Sequence, residues 1–237
     1  MKPKLKELSF NPLMKSEEVI RYSGTYQAQP ESLAVHVCDT SMLAYMIAVH
    51  LNSYGEGLNL GLLLEKCLLH DLDETITGDI PRNTKYANAT IKKDLDDLQD
   101  RCLLIIQKYI NNAEIIQKCR EAKKGKEGVI LKIADMLGVA RRALLEIELR
   151  GNLSFLKVVE ELEDHLNHFL NKADISEFSK KSQEWINALI ADSVDVIREL
   201  HYSNITKIND YYIMENVLEA TSYQDGKATN GKKVEEK

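Results

Sequence analysis

The chain has 237 residues, 44% hydrophobic and 29% charged, with a net charge of −6. That length and balance suit a soluble globular chain of one substantial domain or two small ones. The acidic balance excludes an overall basic field for holding nucleic acid, so no stable nucleic-acid partner is expected. Four cysteines (Cys38, Cys67, Cys102 and Cys119) form no CxxC pair, which speaks against a zinc ribbon or a thioredoxin-type site. Cys38 and Cys67 sit among apolar residues and are expected to be buried thiols. The opening MKPKLKELSFNPLMKSEE has no long apolar core and does not read as a signal peptide. No segment approaches the roughly 20 consecutive apolar residues that span a bilayer. The expectation is a reducing, cytoplasmic setting with no membrane partner.

With only four Pro and eleven Gly, and many Leu, Ile, Ala, Glu and Lys, the bias is towards helix. Residues 1–15 read as an irregular lead-in. A short helix starts at Ser16 and leads to Arg21-Tyr22, and 23–30 reads as a loop closed by Pro30. A helix follows from near Glu31 to Asn52, with Leu33, Val37, Ala44, Ile47 and Leu51 at helical spacing and His36 in its first turns. A leucine-rich helix from about Leu60 to Asp71 reads as a central, mostly buried element. Further helices are expected over 90–110, 113–123, 129–150, 154–171 and 176–202, with a weaker one over 208–220. Gly125 and Gly128 mark a break. The last residues, 221–237, lack apolar anchors and are expected to be disordered. No strand-like alternation is present. The reading is an all-α protein with a lead-in (1–15), a main domain (16–172), a C-terminal helical extension packed on it (173–220) and a tail (221–237).

The chemistry gathers around HDLDETITGDIPRNTKY, from His70 to Tyr86. His70-Asp71 closes an apolar run. Glu74 follows four residues later, on the same face if the helix continues. His36, His70-Asp71 and Asp135 lie on three separate predicted helices. Two imidazoles and two carboxylates make a mixed nitrogen and oxygen set suited to a divalent metal such as Mn, Fe, Co, Zn or Ni. Asp135, inside the apolar run IADML, is costly to bury unless it is paired or bound to metal. A lone His on an amphipathic helix is ordinarily a core or boundary residue, and His50, His165, His168 and His201 are read that way.

The order H…HD…D resembles the HD-domain phosphohydrolase superfamily. The 70–86 stretch is similar to the HDxxExxTGDxPxxxKY signature of its YfbR-like branch, which contains bacterial 5′-deoxynucleotidases. Arg21-Tyr22 and the segment Glu31 to His36 resemble that branch's Arg-Trp and ENVSEH-type segments. The resemblance spans roughly Arg21 to Asn171 and implies an HD-domain helical bundle, with the helices after about Ser176 as an extension. It implies one divalent metal, Co2+ or Mn2+ before Zn2+, Mg2+, Ni2+ or Fe2+, held by His36, His70, Asp71 and Asp135. It further implies Glu74 as the residue that positions or activates the attacking water. Arg21 and Lys85 would meet the substrate phosphate, Asp79 the sugar 3′-hydroxyl, and Tyr22 the sugar. Two positions depart from the pattern: Tyr22 stands for Trp, and Val35 stands for the Glu that usually precedes the first His.

What the resemblance implies is a metal-dependent 5′-nucleotidase that releases phosphate from (deoxy)nucleoside monophosphates. A dNTP triphosphohydrolase, similar to phage enzymes that act on dATP, is the alternative. A cationic funnel near Lys85, Lys92, Lys93, Arg141 and Arg142 would favour it. A non-catalytic HD scaffold that binds nucleotide or protein is the second alternative, and the intact residue set argues against it. A homo-oligomer, dimer or larger, is expected. The apolar run around Trp185, Ile186, Leu189, Ile190, Val194 and Ile197 reads either as its interface or as core.

Overall fold

The computed structural model describes residues 12–85, 87–110, 112–172 and 175–228. Among them the secondary structure is helical, apart from one isolated bridge between Ile20 and Ser32. A 3-10 turn, Pro12–Glu17, leads in. The helices are α1 (Leu33–Asn52), α2 (Leu60–Leu69), α3 (Glu74–Thr77), α4 (Arg82–Lys85), α5 (Ala89–Ile110), α6 (Glu114–Glu121), α7 (Gly125–Leu144), α8 (Leu156–Lys172) and α9 (Lys180–Ala228). A π turn, Leu145–Leu149, extends α7.

The main core lies between α1, α2, α7, α8 and α9. Helix α1 starts where the Ser32 side chain accepts from the Val35 N–H, satisfying an otherwise unpaired helix donor. It buries Leu33, His36, Thr40, Ala44, Ile47, Ala48 and Leu51, one stripe at helical spacing. Helix α7 is the most enclosed, with Ile130, Leu131, Ile133 and Ala134 fully buried. Small residues let α1 and α7 approach closely. A methyl group added at Gly138 would already touch Thr40 Oγ1 at 3.5 Å and the His36 ring at 3.9 Å. A smaller cluster, Leu103, Ile106 and Ile116, joins α5 and α6 to Leu72 and Ile76 beneath α3.

Several boundaries differ from the sequence reading. Gly128 does not break the chain; it lies in the first turn of α7. The segments expected as two C-terminal helices are one, and α9 continues to Ala228 through positions expected to be disordered, while 229–237 lie outside the described residues. Ile186, Ile190, Val194 and Ile197 are buried, so that apolar run is core. Cys38 is exposed rather than buried, because it lies two positions from His36 and hence on the opposite side of α1. Helix α1 is 20 residues long with a mean hydropathy of 1.3, apolar enough by length and composition to cross a membrane. Here it carries the buried His36 and Thr40 and packs against α2 and α7.

Candidate active site

Three helices deliver four side chains to one point. His36 comes from α1, His70 caps the C-terminus of α2 with Asp71 next to it, and Asp135 comes from the middle of α7. One ligand atom from each of these residues lies within 4.8 Å of all the others. His70 Nε2 is 3.0 Å from Asp71 Oδ2, and His36 Nε2 is 3.2 Å from Asp135 Oδ1 and 3.7 Å from Asp71 Oδ2.

The two histidines are buried, yet each has an Nε2 with no well-angled hydrogen-bond partner. Buried polar atoms are ordinarily paired, so two orphaned nitrogens facing two carboxylates call for an explanation. His70 Nδ1 lies 2.8 Å from the Cys67 carbonyl oxygen. That contact puts the ring proton on Nδ1 and turns the Nε2 lone pair to the cluster, the tautomer a metal ligand needs. The donor set, its spacing and these free lone pairs fit a divalent cation.

The local electrostatics agree. Burial works to raise Asp71, but the facing His70 and Lys123 charges hold it well below the ordinary carboxylate range. Asp135, partly exposed to the cavity, is likewise held low, against the pull of desolvation, by the facing His36. Burial alone would lower His70, and the Asp71 charge raises it instead. Glu74 behaves oppositely. Burial, then the neighbouring Asp71, Asp79 and Asp73 charges, push it up to about 9 against the pull of Arg21.

Glu74 arrives by a route the sequence did not show. The helix ends at His70, the chain turns through Asp71–Asp73, and Glu74 opens α3 with its N–H donating to the Asp71 carbonyl at 3.1 Å. Its Oε2 is buried without a partner. Gly78 then takes φ +74, a conformation that strains any side chain, and this turns Asp79 back towards the site.

Asp79 Oδ2 accepts the Tyr22 N–H at 2.7 Å. Tyr22 is the one non-glycine residue with positive φ (+57) among those described, so this bond fixes a costly backbone conformation. The Tyr22 ring packs edge-on against Phe155 at 5.2 Å, and its buried hydroxyl has no hydrogen-bond partner. Arg21 is buried, with Nη1 3.7 Å from Asp71 Oδ2. Burial disfavours its charge, but the surrounding phenol and carboxylates keep it firmly protonated.

Arg21, Tyr22, Asp71, Glu74, Asp79, Lys85 and Asp135 border a cavity of about 310 Å3. Lys85 reaches it from α4. Tyr86, which ends the signature, lies outside the described residues. Val35 is exposed, so the position before His36 does not face the imidazole.

Other lining residues escaped the sequence reading. Lys123, from the turn before α7, places Nζ 3.4 Å from Asp71 Oδ1, opposite Arg21 on the other carboxylate oxygen. The turn is held in place. Lys66 Nζ donates to the carbonyls of Glu121 (2.9 Å) and Lys124 (2.6 Å), and a Cβ at Gly128 would come within 2.4 Å of the Lys123 carbonyl carbon. Only the tertiary path of the chain reveals this lysine. From α8, Lys157, Glu161 and His165 line the opposite wall at i, i+4 and i+8. That spacing was legible; its direction was not.

An all-helical bundle in which His, His-Asp and Asp from three helices converge on one point defines an HD-domain protein. More particularly, the chain belongs to the YfbR-like 5′-deoxynucleotidase family, whose model matches residues 9–186. A 5′-deoxynucleotidase of Pasteurella multocida, PM0747, is 27% identical over 148 residues, covering 60% of this chain and 75% of its own. Among solved structures, the PH0347 protein of Pyrococcus horikoshii superposes with a TM-score of 0.61 at 21% identity, over 80% of this chain and 99% of its own. The HD phosphohydrolase DatZ of cyanophage S-2L, bound to dA and one catalytic Zn2+, superposes with a TM-score of 0.52 at 15% identity, over 82% and 98%. These structures share the fold. The family match ends within the first turns of α9.

Proposed function

We propose that this protein is a divalent-metal-dependent 5′-nucleotidase that releases orthophosphate from (deoxy)nucleoside 5′-monophosphates. The observation that carries the reading is the pair of buried, unpartnered imidazole Nε2 atoms aimed at Asp71 and Asp135 beside a cavity lined by Arg21. Family membership and the activity named for PM0747 support it.

In this reading His36, His70, Asp71 and Asp135 hold one divalent ion, with Co2+ or Mn2+ favoured over Zn2+, Mg2+, Ni2+ or Fe2+. When bound, the ion lowers the pKa of water and neutralises phosphate charge. Glu74 orients the attacking water and takes its proton; a nearby dication would bring this raised carboxyl back down towards neutral pH. Arg21 and Lys123, on the two oxygens of Asp71, flank the phosphoryl group and take up the charge that develops on it. Lys85 supplies a further cation at the cavity edge. Asp79 has one oxygen on the Tyr22 N–H, and its other oxygen accepts from the sugar 3′-hydroxyl. Tyr22 closes the sugar end. Its phenol in place of Trp adds a hydroxyl there, so discrimination between deoxyribose and ribose rests on this residue.

The triphosphohydrolase reading asks for a cationic funnel, and most of the cations proposed for it are elsewhere. Lys92 pairs with Asp96, Arg141 with Asp39, and Arg142 is buried against Glu146. Only Lys85 of that set lines the cavity. The scaffold reading is disfavoured by the intact cluster. A cytoplasmic setting and a homo-oligomeric state belong to the same proposal, supported by four unpaired cysteine thiols and an exposed apolar helix face.

The test incubates metal-stripped protein with Co2+, Mn2+, Mg2+ or Zn2+ and a panel of dNMPs, NMPs and dNTPs. Asp71→Ala and Glu74→Ala serve as controls. Orthophosphate and nucleoside from monophosphates support the proposal. Tripolyphosphate from a dNTP moves the assignment to the triphosphohydrolase. Absence of metal-dependent turnover that both substitutions abolish leaves the scaffold.

A further inference from the structure

One wall of the cavity is left unused by the phosphate chemistry. At the metal end the charged groups engage one another: Arg21 and Lys123 with Asp71, and His36 with Asp135. Along α7, one turn or about 6 Å beyond Asp135, the lining becomes apolar at Val139. Val158 and Leu162 of α8 continue it. Val139 and Val158 pack on the main core yet are only half-buried, so each keeps apolar surface open beside the cavity. Next to this strip stand Lys157 and Glu161, one turn apart on the same face of α8. Opposite charges at this spacing can pair along a helix. Here they do not, and neither bonds another of the described residues.

The order of chemistry along the cavity is that of a nucleoside monophosphate. The metal cluster and its cations suit the phosphate, Asp79 and Tyr22 the sugar, and the apolar strip the faces of a base. The volume of about 310 Å3 admits such a molecule. The polar pair beside the strip then meets the hydrogen-bonding edge of that base. We propose, on the nucleotidase reading above, that Glu161 and Lys157 read this edge and select guanine. An ionised carboxylate only accepts, through two oxygens, and an ammonium only donates. Guanine has two adjacent donors, N1–H and the 2-amino group, followed by the acceptor O6. Glu161 takes the two donors and Lys157 takes O6. Adenine, cytosine and thymine each present a single donor group on that edge and leave one carboxylate oxygen without a partner. A site built to bond a group rejects the analogue that lacks it.

The test measures kcat/KM with Co2+ for dGMP, dIMP, dAMP, dCMP and dTMP. The value for dGMP should exceed those for dAMP, dCMP and dTMP by at least about tenfold, the worth of one hydrogen bond to a charged group. The substrate dIMP keeps O6 and N1–H but lacks the 2-amino group, and should fall between. Glu161→Gln sets an amide donor against the donors of guanine and should cut the dGMP-to-dAMP ratio about tenfold. A general loss of activity cancels in that ratio, so a damaged fold alone does not move it. Calorimetric affinities of Co2+-loaded Glu74→Gln protein should follow the same order. Equal kcat/KM on all the bases, or a preference for another base, overturns the inference and leaves the nucleotidase reading standing. So does a dGMP preference that Glu161→Gln leaves intact. If no monophosphate is hydrolysed, the nucleotidase reading fails and the calorimetric order decides. Tightest binding of dGMP, lost with Glu161→Gln, then supports guanine recognition, and any other order or no binding overturns it.

Discussion

The far end of the loop that carries Arg21 and Tyr22 is tied down around the Glu146 carboxylate, and its removal makes a quantitative prediction. Glu146 is fully buried at the α7 terminus. Its oxygens accept from the Ala28 N–H (2.8 Å), Asn152 Nδ2 (2.6 Å) and Arg150 Nη1 (2.6 Å), and it pairs with Arg142 Nη2 at 2.8 Å. Arg142 is itself buried and also donates to the Gln29 carbonyl. Glu146→Ala strands this guanidinium and frees the Ala28 amide. Breaking one side of a buried ion pair costs about 3–5 kcal/mol. For a chain of this size, each kcal/mol is worth roughly 2–4 °C, so the melting temperature should fall by about 6–20 °C. Thermal and urea unfolding followed by circular dichroism measure it. Because Asn152 Nδ2 also bonds the Tyr26 carbonyl (2.9 Å), the loop should slacken and KM for the nucleotide should rise as well. Burial tends to raise Glu146, but its hydrogen bonds from Asn152, Ala28 and Arg150 hold it below the ordinary range. Its stabilisation is therefore present above the unfolded carboxyl pKa, about 4.3, and is lost as pH falls through the lower folded value. The gap between wild type and variant should close in acid. A loss under about 1 kcal/mol at pH 7, or a gap that does not narrow as pH falls below about 4.3, would refute the reasoning.

Glu74→Gln should abolish turnover yet raise the melting temperature of metal-free protein, by more at pH 8 than at pH 5. The buried carboxyl, pushed up to about 9, stays protonated where the unfolded chain ionises, and that penalty grows with pH. Equal shifts at both pH values, read by calorimetry, would count against it. Lys123→Met should raise KM for a monophosphate and weaken orthophosphate inhibition about tenfold, while metal affinity is kept or improved, since a cation beside Asp71 is removed. Steady-state kinetics and Co2+ titration separate the two effects, and unchanged phosphate inhibition would exclude the role. Gly128→Ala should mimic that loss at a cost in stability, because its Cβ would meet the Lys123 backbone at 2.4 Å. Co2+ affinity should fall as pH drops, because the metal must displace the proton that Asp71 favours on His70. A pH-independent affinity in calorimetric titration would contradict it.

The amino-acid sequence alone carried the helical class, most helix positions and the residues at the site's centre. Composition fixed the class. The cluster was legible because its chemistry conflicts with its surroundings: an Asp inside IADML and a His-Asp pair closing a leucine run are costly unless something binds them. Tertiary structure decided the rest. Glu74 is four residues from His70, but it reaches the site through a turn rather than along a helix face. Lys123, Lys157 and His165 carry no local signature, since a lysine or histidine in a polar turn or on a polar helix face looks the same whether it meets water or a substrate cavity. The apolar run of α9 offered two readings, and burial chose core; the equally apolar α1 kept one face bare. Periodicity gives the spacing of side chains around a helix axis. The direction in which each face points is set only when helices distant in sequence pack together.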